Sequence, residues 1–213
     1  MTTIILATRN AHKVAEIGGI LTEDFRLLSQ LDFPGAPAVA EDAGTFGGNA
    51  SKKAAGFIAW LEANPQKVLP DKRFFVLADD SGLEVDALGG APGVHSARFA
   101  AADAQGAENS PDAANNAKLL RLLAGFPPER RTARFRCVLA LAALREATLL
   151  FEAICEGRMA LSATGAGGFG YDPLFVPDGY TQSFAELGDE VKNKISHRAR
   201  ALAQLRRFLD SVT

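Results

Sequence analysis

The sequence predicts a mixed α/β fold, with a central sheet flanked by helices. Two observations carry this. Apolar strand-like runs alternate with helical patterns through much of the chain, and one long strand pair, Thr132 to Leu144 and Thr148 to Glu156, lies in the second half. The hairpin argues against an all-parallel sheet.

The elements follow in order. Thr3 to Ala7 reads as a strand, Thr8-Arg9-Asn10 as a loop and Ala11 to Leu21 as a helix, with Val14, Ile17 and Leu21 on one face and Asn10 as N-cap. Leu31 to Thr45, rich in Pro, Gly and Asp, reads as a loop or a short irregular strand. Asn49 to Glu62 reads as a helix, with Ala50, Ala54, Phe57, Ile58 and Leu61 on its apolar side. Phe74 to Ala78 is a buried strand, ending where Asp79-Asp80-Ser81-Gly82 begins. Leu83 to Leu88 could pair beside it before the turn Gly89 to Gly93. Asp112 caps a helix running to Leu123, and the later strand pair turns at Arg145-Glu146. A glycine-rich loop, Gly165 to Gly170, leads into a short strand, Leu174-Phe175-Val176. Ser196 caps the last helix, whose inner stripe is Leu202, Leu205, Leu209 and Val212.

Composition narrows the function classes. The 213 residues suffice for one large domain or for two lobes sharing a core, with candidate junctions near Pro34 and Pro37 and near Pro127-Pro128. At 47% hydrophobic and 23% charged residues the chain is an ordinary globular sequence. A formal net charge of -2 gives no global basic field for a nucleic-acid polymer, though a local cluster of cations could hold a small anion. Cys137 and Cys155 lack metal-ligand spacing and sit in apolar segments, so they read as buried thiols. No signal peptide and no membrane-spanning run is visible, which makes the cytoplasm the expected location.

Five segments could carry chemistry. Asp79-Asp80-Ser81-Gly82 places two carboxylates at a strand end, where ligands bind in open α/β sheets, and suits a divalent metal, a general base or both. It also suits a solvated turn. Thr8-Arg9-Asn10-Ala11-His12-Lys13 opens a helix, whose N-terminus suits phosphate; locally, a plain cap with a solvated lysine explains it better. Glu41-Asp42, with Lys53 on the following helix, acquires a role only if the fold brings it to Asp80. Gly167-Gly168-Phe169-Gly170-Tyr171-Asp172 could hold an aromatic ring against a planar base, or tuck Phe169 into the core. Lys192-Asn193-Lys194-Ile195-Ser196-His197-Arg198 sets cations at a helix start against the helix dipole, an arrangement that often marks function.

As an ordered set these motifs resemble the inosine triphosphate pyrophosphatase (dITP/XTP pyrophosphatase) family. The resemblance rests on Leu6-Ala7-Thr8-Arg9-Asn10 with Lys13, Glu41 with Gly44-Thr45-Phe46, and Asn49-Ala50 with Lys53. It continues through Ala78 to Leu83, Leu88 to Gly93, Ser96 to Phe99, Gly167 to Pro173, Lys192 and Ile195 to Arg198. Gly47-Gly48 stand where that pattern often has larger, acidic residues. The resemblance implies a single domain over residues 1–213, built as two lobes around a nucleotide-binding cleft, and a homodimer. It implies Mg²⁺-dependent hydrolysis of ITP, dITP or XTP to the monophosphate and pyrophosphate. Glu41 and Asp80 would hold the metal, and Asp80 would also orient or deprotonate water, with Asp79 in support. Thr8, Asn10 and Lys13, with Lys53 aiding, would grip the phosphates, and Arg9, Ala11 and His12 would also meet the substrate. Ser81, Phe169, Gly170, Tyr171, Asp172, Lys192, His197 and Arg198 would meet the rest of the nucleotide, with Lys192, His197 and Arg198 as donors to the C6 oxygen of the base. Two rivals use many of the same residues: a non-catalytic purine nucleotide sensor, and a pyrophosphatase of modified pyrimidine nucleotides.

Overall fold

A computed structural model describes residues 2–21, 24–67, 74–101 and 109–212. The strands are β1 (Thr2–Leu6), β2 (Phe25–Ser29), β3 (Phe74–Val85), β4 (Thr132–Ala142), β5 (Leu149–Met159) and β6 (Phe175–Pro177). The helices are α1 (Ala11–Leu21), α2 (Phe46–Ala63), α3 (Asp112–Leu123), α4 (Phe184–Ile195) and α5 (His197–Val212). The sheet order is β2-β1-β3-β4-β5-β6. β1 pairs parallel with β2 and with β3, whereas β5 and β6 are antiparallel, so the sheet is mixed.

The chain divides into two compact units. The first comprises Met1–Asp80, Cys137–Ala153 and Arg198–Thr213, and the second Ser81–Arg136 and Ile154–His197. In the first unit, strand alternation sorts side chains onto two faces. Ile4, Leu6, Phe75, Leu77, Leu139 and Leu141 pack with Ile17 and Leu21 of α1 and with Leu202, Leu205 and Leu209 of α5. Ile5, Phe74, Val76, Ala78, Ala140 and Ala142 pack with Ala50, Ala54, Phe57, Ile58 and Leu61 of α2. The chain leaves β1 through α1 to β2 on one side, then reaches β3 on the other through α2, which packs on the opposite face. The C-terminal end of β1 is therefore a topological switch point, where open α/β sheets bind ligands. The second unit has its own core, including Leu83, Phe135, Leu174, Phe175 and Phe184.

Several expectations change. The acidic tract does not lie at the end of its own strand, and Leu83 to Leu88 is not a partner strand: β3 runs unbroken from Phe74 to Val85, and Asp86–Leu88 is a 3-10 turn. What ends there is β1, whose last register pair is Leu6↔Leu77. β2 and α4 were not expected. Gly188, with φ 73°, interrupts the helical pattern of α4, while the Ser183–Glu186 capping box at its start is a sequence signal for it. In α5 the stripe is Leu202, Leu205 and Leu209, each fully buried, while Val212 is exposed. Both cysteines are free and buried. Among the described residues no helix is long and apolar enough to cross a membrane.

Candidate functional site

The segment from Thr8 to Lys13 is built on the turn that leaves β1. Thr8 N–H donates to the Leu6 carbonyl at 2.8 Å, and Thr8 Oγ1 accepts from Asn10 N–H at 3.1 Å. Asn10 Oδ1 accepts from the N–H groups of His12 (2.9 Å) and Lys13 (3.2 Å), so it caps α1 as the sequence predicts. The capped helix start stands exposed at the switch point with its partial positive charge. The Arg9 side chain turns away to donate to the Ala36 carbonyl at 2.6 Å, and Ala11 and His12 are exposed.

The acidic pair splits by strand parity. Asp79 continues the Phe75, Leu77 face and Asp80 the Val76, Ala78 face. Asp79 is buried among cations: Lys13 forms an ion pair with Oδ1, and Arg198 reaches Oδ2 through Nε at 2.9 Å and Oδ1 through Nη2 at 3.4 Å. Arg198 Nη1 also pairs with Glu16. Burial alone would push Asp79 up, but Arg198 and Lys13 outweigh it and hold the carboxyl well below its usual range. Burial would lower the Lys13 ammonium, yet Asp79 raises it overall. The Cys137 thiol donates to Asp79 Oδ2 at 3.3 Å, and burial pushes that thiol well up.

On the other face, Asp80 meets Lys53 Nζ at 3.1 Å and Asn49 Nδ2 at 3.1 Å. Lys53 Nζ also lies 3.4 Å from Glu41 Oε1. Burial pushes Asp80 above the ordinary carboxylate range; Lys53 and Lys13 pull it down without cancelling, and Glu41 adds to the rise. Burial also pushes Glu41 up, but Lys53 and Lys13 outweigh it and leave Glu41 lowered. Both lysines converge on one backbone atom, the Asp79 carbonyl, at 3.3 Å for Lys13 and 2.8 Å for Lys53. Because β1 stops opposite Leu77, β3 residues beyond it lose that neighbour, and side chains take over. Asp42 faces outward to Lys52, so Glu41 is the acidic residue of its pair joined to Asp80 through Lys53.

These groups fit a hard divalent cation. Among the described residues no group of three or more His, Cys, Asp or Glu side chains is placed to hold a metal alone. Mg²⁺, however, is commonly held by one or two carboxylates plus substrate phosphates and water. Glu41 and Asp80 supply two such oxygens and already share one ammonium. The network joins the cations Lys13, Lys53 and Arg198 to the carboxylates of Glu16, Glu41, Asp79 and Asp80, three charges against four. A net negative cluster repels a triphosphate, and one divalent cation reverses its sign.

The second unit holds the remaining residues apart from Arg198, and Asp172 joins two of them, Phe169 and Lys192. Asp172 Oδ2 accepts from Phe169 N–H at 2.8 Å and pairs with Lys192, both partners of that pair being buried. Lys192 Nζ stands 4.6 Å from the Phe169 ring centroid. Gly170 (φ 62°) donates its N–H to Asp112 at 2.6 Å and accepts from Asn116 at 2.9 Å. Tyr171 is buried with its hydroxyl on the Ser96 carbonyl at 2.9 Å. His197 lies flat on Phe135, centroids 4.7 Å apart and planes 12° apart. Ser81 is half-buried within β3. The sequence grouped Arg198 with Lys192 and His197 as a donor to the base. The structure places its guanidinium in the first unit, on Asp79 and Glu16, because buried Asp79 and half-buried Glu16 there need a counter-charge.

Sequence reasoning missed the role of Asn49. It is fully buried, its Oδ1 accepts from Ala43 N–H at 2.9 Å, and its amide donates to Asp80. It thereby ties the Glu41 loop to Asp80. A signal existed: Asn49 and Lys53 are spaced i, i+4 and share one face of α2. Gly48 fits closely there, since a Cβ would lie 2.7 Å from Ala43 Cβ and 2.9 Å from Thr45 Oγ1.

Comparison with known proteins agrees with this architecture. The chain is 42% identical over 212 residues to the dITP/XTP pyrophosphatase of Shouchella clausii, covering 100% of this chain and 98% of that one. It is 49% identical over 206 residues to the dITP/XTP pyrophosphatase of Geobacillus kaustophilus, covering 96% and 93%. The Staphylococcus aureus Ham1 protein superposes with a TM-score of 0.81 at 33% identity, covering 99% of this chain and 100% of that one. A HAM1 protein from Coxiella burnetii gives 0.81 at 36% identity, with the same coverage. Residues 4–208 match the profile of the Ham1 family, a span that takes in the switch-point loop, the acidic pair and the Asp172 cluster. The chain belongs to the Ham1 family.

Proposed function

We propose that this chain hydrolyses the deaminated purine nucleotides ITP, dITP and XTP to the nucleoside monophosphate and pyrophosphate, removing them from the nucleotide pool. The carrying observation is the convergence of Thr8, Asn10 and Lys13 at the end of β1 with Glu41, Lys53 and Asp80 within one compact unit. That set combines donors for a phosphate tail with two carboxylates for a cation. The names of the Shouchella and Geobacillus relatives support the same substrates.

Attack of water on a tetra-anion needs charge neutralisation and positioning above all. Glu41 and Asp80 would hold Mg²⁺, which when bound supplies charge neutralisation on the phosphate oxygens. The capped start of α1 and Lys13 grip the phosphate tail. Asp80 orients or deprotonates the attacking water, aimed at the α-phosphorus. Asp79 does different work: it faces the opposite side of β3 and holds Lys13 and Arg198 in place. Phe169 stacks on the base, and Lys192, fixed by Asp172, donates to its C6 oxygen. Adenine presents an amino donor there, and a mismatch of that kind can discriminate by about 10⁴-fold. The working form is a cytoplasmic homodimer.

Pyrophosphate release measured across ITP, dITP, XTP, ATP, GTP and dUTP, with and without MgCl₂, tests the reading. ITP, dITP and XTP should turn over in MgCl₂ and far less in EDTA, while Asp80→Asn should lose most turnover. No release from ITP, or faster release from dUTP, would overturn it.

A further inference from the structure

We propose that Cys137 is a positioning residue for the phosphate end of the site, its thiol fixing the Asp79 carboxylate that in turn aims Lys13. The proposal rests on the phosphate-binding reading of Lys13 given above.

Cys137 lies on β4, fully buried, on the face of the sheet that carries Leu139 and Leu141. An apolar residue would satisfy that packing. Its Sγ instead sits 3.3 Å from Asp79 Oδ2, the oxygen that also takes Arg198 Nε at 2.9 Å. Asp79 carries two cations and has no proton to offer, so the shared proton belongs to the thiol. Lys13 and Arg198 already balance Asp79 and Glu16 in charge. A further donor must be neutral to leave that balance intact, and a thiol is a neutral donor small enough for a strand interior. The carboxylate is thereby held from three directions: Arg198 from α5, Lys13 from α1 and Cys137 from β4. If the thiol contact is lost, Asp79 Oδ2 loses one donor and the carboxylate settles closer to the Arg198 fork. Lys13, whose ammonium is paired to Asp79 Oδ1 and hydrogen-bonded to the Asp79 carbonyl, then loses its fixed direction.

The test compares Cys137→Ser, which keeps a donor, with Cys137→Ala, which removes it. With ITP and MgCl₂ the Ser variant should stay near wild type in kcat/KM. The Ala variant should fall about tenfold, mainly through KM, as loss of an outer partner of a binding group does. Equal kcat/KM for Ser and Ala would overturn the proposal, as would an Ala defect confined to thermal stability. A second readout needs no substrate. The chain has 2 cysteines, so its infrared spectrum holds two S–H stretching bands. Cys155 makes a longer contact, 3.9 Å to the Glu156 carbonyl, and serves as the internal reference. The band abolished by Cys137→Ala should be the lower in frequency, as expected for a thiol bonded to a carboxylate; the reverse order would also overturn the proposal. Wild type inactive on ITP but with the low-frequency band present would sink the substrate reading while leaving the thiol–carboxylate bond standing.

Discussion

At the scale of single residues, the site works by giving adjacent side chains different surroundings. Asp79 and Asp80 are neighbours, yet one is lowered by two cations and the other raised by burial. The sequence could predict that split, because strand residues alternate faces. It could not supply the partners: Arg198 lies 119 residues from Asp79, and Asn49 lies 31 from Asp80. Asn49→Asp should be severe, since it replaces the amide donor to Asp80 with a second carboxylate. kcat/KM for ITP should fall by roughly 10–100-fold, in the range seen for outer partners of metal ligands. Activity within twofold of wild type would remove Asn49 from the machinery. Asp79 makes a pH prediction. Its folded value lies below its unfolded value, so the ionised form stabilises the fold above about pH 4, and that contribution vanishes as pH falls through the lower folded value. Asp79→Asn should therefore be less stable at neutral pH, by about 3 kcal/mol, because Arg198 and Lys13 lose one buried counter-charge. Its stability should also change less with pH in acid. Urea unfolding at stepped pH measures both, and parallel curves for the two proteins would contradict the assignment.

At the scale of elements, what was legible followed local periodicity. The helices α1, α2 and α3 show apolar residues or caps at helical spacing, and their predicted spans lie close to the observed ones. Asp-Asp-Ser-Gly has turn composition, which suggests a strand end at Ala78 where β3 in fact continues to Val85. Tertiary contacts keep the strand extended: the Asp79 carbonyl is taken by two lysines, and Ser96 Oγ accepts from Leu83 N–H at 2.9 Å. The loop before β6 is specified instead by its own glycines. Gly168 has φ +71°, and a Cβ there would collide with the Asp172 carboxylate, the partner of Lys192. Gly168→Ala should cost about 1–3 kcal/mol in stability from backbone strain. It should also raise KM for ITP more than it lowers kcat, because displacing Asp172 displaces Lys192 and Phe169 while leaving Asp80 untouched. A kcat defect at unchanged KM would place the loop's role in the chemical step instead.

At the scale of the whole molecule, the chain threads its units discontinuously, and no local signal encodes that. The first unit takes the loop from Thr8 to Lys13 and the acidic pair Asp79-Asp80 from the first 80 residues, Cys137 from the middle and Arg198 with α5 from the end. Contacts of such large sequence separation form late and at high entropic cost in folding. The first unit should therefore depend on α5 for its integrity, although α5 lies more than 100 residues beyond Asp80 in the sequence. Leu202, Leu205 and Leu209 are each fully buried against β1, β3 and β4 side chains, and burying a Leu contributes roughly 1.5–3 kcal/mol. Three of them, with the loss of Arg198 from Asp79 and Glu16, match a large part of the roughly 5–15 kcal/mol by which a domain is stable. A chain ending at Ser196 should fail to give a cooperative unfolding transition and should release no pyrophosphate from ITP, even though Thr8, Asn10, Lys13, Glu41, Lys53 and Asp80 are all still present in it. Adding the 197–213 peptide in trans should restore part of the turnover, because the peptide brings both the apolar stripe and the guanidinium. A peptide carrying Arg198→Ala should restore less. If the truncated chain unfolds cooperatively and turns over ITP on its own, α5 is an accessory and the first unit is complete without it.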